Sequence, residues 1–279
     1  FGMIGCGKNQ VLKKENVNET NQEQATENKE TAEEQQENTN NDTEEQSQSQ
    51  IDYINIAPEE VKIPILMYHS ISDEDPSNNL LVPPAMFEEQ MAWLEANNFT
   101  AMNMDEALEA MRTGKVPKRP VVITFDDGYA NNYTSAFPSL KNHKLKATFF
   151  VITDGVDNGY YMSSDNLKEM QDAGMSIENH TANHLELNNL SKTDAYESIK
   201  RAQDYLRNVI GSDGNYLCYP VGKYNDETIQ IEEELGIKAA VTTQGGFASI
   251  NDGLHTLKRV RISPMSIEGF ASIFSEYIN

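Results

Sequence analysis

The sequence predicts an α/β domain built on a parallel sheet, and three observations lead there. From about residue 61 onward, short apolar runs alternate with longer amphipathic stretches. Strands separated by helices of that length cannot be hairpins, so they pair in parallel through βα connections. About 220 residues lie in this alternating region, enough for one barrel-like domain. A long polar segment precedes it, so the fold class is α/β, a barrel preceded by a disordered tether.

Each element follows from its local chemistry. Val61 to Tyr68 reads as a strand, with Pro64 marking a strand start or an edge. Phe87, Met91, Trp93 and Leu94 recur at helical spacing, and Asp105 to Met111 makes a second short helix. Val121 to Phe125 and Ala147 to Ile152 are apolar, β-branched or aromatic runs that read as buried strands. Ser164 is expected to cap a helix that runs to Ala173 and ends at Gly174. Met175 to Glu178 is the next strand. Ser191 opens a long helix to Ile210, with Tyr196, Ile199, Ala202, Tyr205, Leu206 and Val209 on one face. Tyr216 to Tyr219, Ala239 to Thr242 and Val260 to Ile262 complete the strands, with helices between and after them.

The N-terminal end has another texture. Residues 7 to 50 are almost wholly Asn, Gln, Glu, Thr, Ser and Lys, and too few side chains are apolar to offset the entropy of ordering. The segment is expected to be a disordered, flexible tether. It carries 11 acidic and 4 basic side chains, a net of −7, which leaves −15 of the total −22 for the remainder. An acidic domain argues against nucleic acid as a partner, since phosphate binding needs clustered Lys and Arg. Phe1-Gly-Met-Ile-Gly-Cys6-Gly reads as the end of a signal peptide running into a lipobox, with Cys6 as the lipidated residue. The only other cysteine is Cys218, so a structural disulfide is not expected. The domain boundaries are therefore 1–6 for the signal end and lipobox, 7–58 for the linker and 59–279 for the catalytic domain.

Two segments carry chemistry. Ile123-Thr-Phe-Asp-Asp-Gly-Tyr129 sets adjacent carboxylates where Gly128 breaks an apolar strand. About 50 positions later, His180-Thr-Ala-Asn-His184 sets two imidazoles four apart. Alone, the first is an ordinary turn and the second a pair of surface histidines. Together, at the C-terminal ends of successive strands, they supply three ligands for a divalent metal and one spare carboxylate as base. Adjacent residues of an extended strand point to opposite sides, so a turn beginning at Asp127 is needed to bring both carboxylates into one pocket.

On these motifs the region from about 61 to 275 resembles the polysaccharide deacetylases of carbohydrate esterase family 4. Thr124-Phe-Asp-Asp-Gly128 matches that family's first motif and His180-Thr-Ala-Asn-His184 its second. The resemblance implies a distorted (β/α) barrel and metal-dependent removal of acetyl groups from N-acetylated sugars. It implies Asp127, His180 and His184 as metal ligands and Asp126 as general base. Zn²⁺ is the default metal for such a set, with Co²⁺, Ni²⁺ and Fe²⁺ also suited.

The chain departs from the commoner pattern in its third motif. Leu217-Cys-Tyr-Pro-Val-Gly222 stands where Arg-Pro-Pro-Tyr is usual, so Cys218 replaces the Arg. This is similar to the branch that deacetylates poly-N-acetylglucosamine. Tyr219, Pro220 and Val221 would then form the substrate and oxyanion loop, with the Val221 N–H as donor. Arg259 or Arg261 would replace the missing Arg. For the general acid, the same branch points to His69 in Met67-Tyr-His-Ser-Ile71, with His255 in Leu254-His-Thr256 as the competitor. Asp165 resembles a fourth motif, although Ser164 stands where Trp is usual.

The resulting expectation is a monomeric, lipid-anchored, extracytoplasmic N-deacetylase facing the cell wall. Its substrate would be an N-acetylglucosamine-containing wall or surface polysaccharide: poly-N-acetylglucosamine, peptidoglycan or chitin oligomers. Contact with the membrane would be through the lipid alone. The rival readings are an O-acetyl esterase of the xylan type and a catalytically inactive sugar-binding lipoprotein.

Overall fold

The computed structural model describes residues 51–278. Cys6 and the polar segment through residue 50 lie outside the described residues. In chain order the strands are β1 (Tyr53–Asn55), β2 (Ile65–Tyr68), β3 (Thr100–Met102), β4 (Lys115–Pro117), β5 (Pro120–Phe125), β6 (Thr148–Val151), β7 (Ser176–Asn179), β8 (Tyr216–Cys218), β9 (Ala239–Gly245) and β10 (Leu257–Arg261). The helices are α1 (Pro84–Ala96), α2 (Met104–Thr113), α3 (Phe137–Asn142), α4 (Ser164–Asp172), α5 (Lys192–Ile210), α6 (Asp226–Leu235), α7 (Ile267–Ile273) and α8 (Ser275–Ile278).

Seven of the strands close into a parallel ring in the order β2-β10-β9-β8-β7-β6-β5 and back to β2. Closure is made by β2 on β5, in register from Ile65↔Val122 to Tyr68↔Phe125. The barrel is uneven. β7 and β8 share a single pair, Asn179↔Leu217, and the β9–β10 register shifts between Leu257 and Arg259. β3 pairs in parallel with the first half of β5, outside the ring.

The alternation along β5 sorts two layers. Val121, Ile123 and Phe125 pack with Phe87, Met91 and Leu94 of α1 and Leu167 and Met170 of α4. Val122 instead joins Ile65, Phe150, Tyr216, Cys218 and Val241, contributed by strands around the ring. The aromatic stack Tyr68–Phe125–Phe149, with centroids 5.4 and 4.6 Å apart, fastens the closing strands to α1 through Phe87. Thr124 and Asp126 follow Val122 on the interior side, so the period-2 pleat itself aims Asp126 into the barrel.

Three local expectations shift. β2 starts at Ile65 and is paired on both sides, so Pro64 marks a strand start and not an edge. Ser163, not Ser164, caps α4: its hydroxyl accepts from the Asn166 N–H, and Asn166 accepts in return from the Ser163 N–H. The folded unit also begins before residue 59, because Tyr53–Asn55 pairs antiparallel with Lys115–Pro117.

One interior group titrates against the fold. Glu178 is buried, accepting from the Tyr216 N–H at 3.1 Å and the Ser176 hydroxyl at 2.9 Å. Burial outweighs those bonds and raises its carboxyl to about 7. The folded state therefore holds a proton that the unfolded chain releases near its ordinary carboxylate value, and stability falls as pH rises from that value toward 7. Glu178→Gln keeps an acceptor for Tyr216 and offers a donor to Ser176. It should raise the urea midpoint at pH 8 and leave it nearly unchanged at pH 4.5; equal effects at both would refute the protonated carboxyl.

Candidate active site

At the C-terminal ends of β5, β7 and β8, and beside β2, a pocket of about 210 Å³ is lined by His69, Leu80, Asp126, Asp127, His180, His184, Tyr219, Val221, Thr243 and Arg261. Asp127 takes φ 73° and Gly128 φ 84°, so the strand reverses its twist at once after Asp126. That turn puts consecutive carboxylates in the same cavity, as the motif requires. A Cβ on Gly128 would stand 3.2 Å from Val151 Cγ1, so β6 closes over the turn.

The histidine loop is built by side chains that cap their own backbone. Asn179 accepts from the Thr181 N–H at 2.7 Å, and Thr181 accepts from the His184 N–H at 3.0 Å. Thr181 and His184 both have positive φ, 63° and 55°. The loop is tied to α5 by the Ala182 N–H to the Ser198 carbonyl and the Ser198 hydroxyl to Asn183. Of the seven non-glycine residues with positive φ among the described residues, Asp127, Thr181, His184 and Val221 sit in the loops of this one pocket. Backbone strain so concentrated is the mark of a preorganised site.

Asp127, His180 and His184 each offer one ligand atom to a common point. Asp127 Oδ1 lies 3.2 Å from His180 Nε2 and 3.3 Å from His184 Nε2. Ligands about 2.0–2.1 Å from a tetrahedral Zn²⁺ are separated by about 3.3 Å, so the set fits. His180 Nδ1 lies 2.7 Å from the Cys218 carbonyl, which can only accept, and that fixes the tautomer with Nε2 bare toward the pocket. Burial works against a charged His180, yet Cys218 and Asp127 outweigh it and raise its pKa. The pocket thus favours a positive charge, which a divalent cation supplies in competition with the proton.

Asp126 is kept out of that set. It is buried in a bidentate pair with Arg259, with both N–O distances 2.7 Å. Arg259 also donates to the Thr124 hydroxyl at 3.1 Å, the Thr242 carbonyl at 2.9 Å and Cys218 Sγ at 3.2 Å. Asp126, His180 and Cys218 also converge, but there the guanidinium already serves as the cation. Burial alone would push the Asp126 carboxyl up; Arg259 reverses this and holds it far below the usual range. Between the two arginines left open by the sequence, Arg259 pairs with Asp126 and Arg261 lines the pocket from an exposed position.

His69 Nε2 stands 3.8 Å from Asp126 Oδ2, and burial lowers its pKa. Its main chain is held by Asn132, which donates to the His69 carbonyl at 2.7 Å. His255 is elsewhere: Nδ1 pairs with Glu232 at 2.6 Å, outside the pocket lining. Asp165 is a first-turn acid of α4 within 3.6 Å of Lys168, with its side chain 90% exposed, and does not reach the pocket. In the third-motif loop, Val221 has φ 49° and its N–H makes no bond among the described residues, while Gly222 and Lys223 donate back to Tyr219 and Pro220. Pro220 is buried and does not line the pocket. Tyr219 does, though its ring stacks on Tyr224 and its hydroxyl donates to the His255 carbonyl.

Sequence reading missed Thr124, Asn132, Thr243 and Leu80. Thr124 lay inside a quoted motif, and its role appears only once Arg259 is placed against it. Leu80 and Thr243 sit in stretches without chemical signature.

A seven-stranded parallel barrel with paired carboxylates and two histidines at its strand ends defines a class of deacetylase. The polysaccharide deacetylase profile matches residues 113–240, and the chain belongs to that family. A Bacillus subtilis (strain 168) protein named "Putative polysaccharide deacetylase YxkH" is 40% identical over 218 residues, 78% of this chain and 76% of its own. The poly-beta-1,6-N-acetyl-D-glucosamine N-deacetylase of Staphylococcus epidermidis is 27% identical over 73% of this chain and 80% of its own. Among solved structures, the Streptococcus pyogenes deacetylase PplD in complex with acetate aligns with a TM-score of 0.75 at 36% identity, over 77% of this chain and 99% of that one.

Arg259→Met leaves the Asp126 charge buried without a partner and should cost about 3–5 kcal/mol at pH 7. In the wild type the carboxyl is depressed, so its contribution is complete above the unfolded value and is lost only as pH falls below it, toward the folded pKa. In the variant the buried carboxyl should be raised instead, so mild acidification from pH 7 to 5 restores stability. Urea unfolding of both proteins at the two pH values checks this, and a variant as stable as wild type at pH 7 would sink the claim.

Proposed function

We propose that the protein is a metal-dependent N-deacetylase of N-acetylglucosamine-containing wall or surface polysaccharide. The carrying observation is the division of labour at the strand end: Asp127, His180 and His184 converge on one point while Arg259 withholds Asp126 from it. The relative named for poly-beta-1,6-N-acetyl-D-glucosamine and the acetate held by the Streptococcus pyogenes enzyme support this substrate class and an acyl product.

Asp127, His180 and His184 would hold the cation, with Zn²⁺ the first candidate and Co²⁺, Ni²⁺ or Fe²⁺ alternatives. When bound, it acidifies water and polarises the acetyl carbonyl. Asp126, ionised and oriented by Arg259, accepts the proton of the attacking water. The same pairing makes Asp126 a weak base that must pass the proton on, and neutral His69, 3.8 Å away, is the receiver. His69 then delivers it to the departing nitrogen as the C–N bond breaks, giving acetate and a free amine. The Val221 N–H faces the oxyanion.

Asp126→Asn should retain one equivalent of Zn²⁺ by calorimetry and lose at least about 10²-fold in kcat on N-acetylglucosamine oligomers. His69→Ala should behave likewise, whereas His184→Ala should lose the metal. Amine and acetate are quantified separately, and acetate released without amine would point to an ester substrate instead. Retained turnover in Asp126→Asn would overturn the base assignment.

In this reading the domain works outside the cytoplasm, as a monomer held to the membrane through a lipid on Cys6 and the polar segment after it. Cys6→Ser in the full precursor should move the protein from the membrane fraction to the soluble one without changing specific activity; unchanged membrane retention would refute the anchor.

A further inference from the structure

Seven large apolar side chains are exposed among the described residues; Ile51, Tyr53 and Ile54 lie at or beside β1 and Ile278 ends α8, and the other three lie on loops around the candidate site. The three most exposed are Tyr160 at 65%, Val221 at 52% and Leu185 at 48%. Val221 lines the pocket, Leu185 follows the ligand His184, and Tyr160 packs against Tyr129, two positions after Asp127. The three most exposed thus sit on loops that carry or adjoin pocket residues, the arrangement of a recognition rim.

Tyr160 is the member with a built support. Its ring lies edge-on to Tyr129 (5.5 Å, 84°) and to Tyr161 (5.1 Å, 85°), and those two rings stack on each other at 5.6 Å. Tyr161 fills the space over Gly155, where a Cβ would come within 2.4 Å of its ring. The loop is pinned on both sides. Asn158 accepts from the N–H groups of Tyr160 and Tyr161, the Ala130 N–H donates to the Tyr160 carbonyl, and the Met162 N–H donates to the Gly128 carbonyl. The Tyr129 hydroxyl faces the Asp127 carboxylate, so the wall is continuous with the metal set. A rigid aromatic ring left mostly in water loses little entropy on binding, and nothing in the fold needs its outer surface.

We propose that Tyr160, backed by Tyr129 and Tyr161, is a stacking subsite for the pyranose ring next to the sugar being deacetylated. The apolar C–H face of a pyranose lies on an aromatic ring while its hydroxyls stay solvated, so the ring face and not the tyrosine hydroxyl supplies the contact. The subsite rests on the polysaccharide reading above, and it makes the enzyme prefer chains over single sugars.

Tyr160→Ala tests it, since an exposed ring can be removed without opening the core; the thermal midpoint is measured alongside. With N-acetylglucosamine tetramer, KM should rise about three- to tenfold at unchanged kcat. Activity on the monomer and on a small aryl acetate should not move, and Tyr160→Phe should restore the wild-type KM. An unchanged tetramer KM, or an equal loss on the aryl acetate, overturns the subsite. Absence of amine release by the wild type on every oligomer would instead overturn the substrate reading itself.

Discussion

The site depends on the Asp126–Arg259 pair. It joins β5 to β10 across 133 positions of sequence and uses the guanidinium completely, on two carboxylate oxygens, a hydroxyl, a carbonyl and a sulfur. A buried ion pair gains little net stability over an apolar core, because desolvation consumes most of the attraction. Its return here is positional. A carboxylate held at both oxygens cannot rotate toward the neighbouring histidines, so two adjacent aspartates of identical chemistry acquire different partners. The guanidinium thereby keeps Asp126 apart from the group that Asp127, His180 and His184 form.

The second constraint is backbone conformation. An extended strand would send Asp126 and Asp127 to opposite faces, and only the left-handed residue at Asp127 folds them into one cavity. Left-handed asparagine or aspartate costs less than left-handed valine or threonine, so Thr181 and Val221 are the more strained members of the set. Each is held by bonds around it: Thr181 through Asn179 and Ser198, Val221 through the turn that Gly222 closes. Gly222 could not be another residue, because a Cβ there would overlap the Thr243 hydroxyl.

Local chemistry made much of this legible. Short apolar runs marked the ring strands, and a carboxylate pair at a strand end with a His-x-x-x-His segment marked the side chains that the fold brings together, because buried strands and their ends leave residue-type signatures. What stayed open was whatever needed distance. Arg259 and Arg261 lie two apart on one strand and so share a face, and only depth along the barrel decides that Arg259 reaches Asp126 while Arg261 stays at the mouth. His69 ends an apolar run while His255 follows a lone Leu254 in a polar loop, and only Glu232, inside α6, shows that His255 is already engaged. The cap of α4 slipped by one residue because Ser163 and Ser164 are chemically alike and geometry chooses between them. β1 was read as linker for a related reason: Tyr53–Asn55 is exposed, and its ordering comes from pairing with β4, a partner invisible to local composition.

Ring closure also explains why His69 and Arg259 arrive at Asp126 from the two ends of the folded chain. β2 is the first strand of the barrel and β10 the last, yet they are neighbours, and β2 is flanked on its other side by β5. His69 after β2, Asp126 after β5 and Arg259 on β10 therefore occupy three consecutive staves. Two strands at opposite edges of an open sheet could not be bridged by one side chain. In a closed barrel the strand order is cyclic, so the place where the chain begins carries no chemical consequence. Which side chains meet is then set by position around the ring and not by position in the sequence, so a guanidinium from β10 reaches the carboxylate that follows β5 although 133 positions separate them.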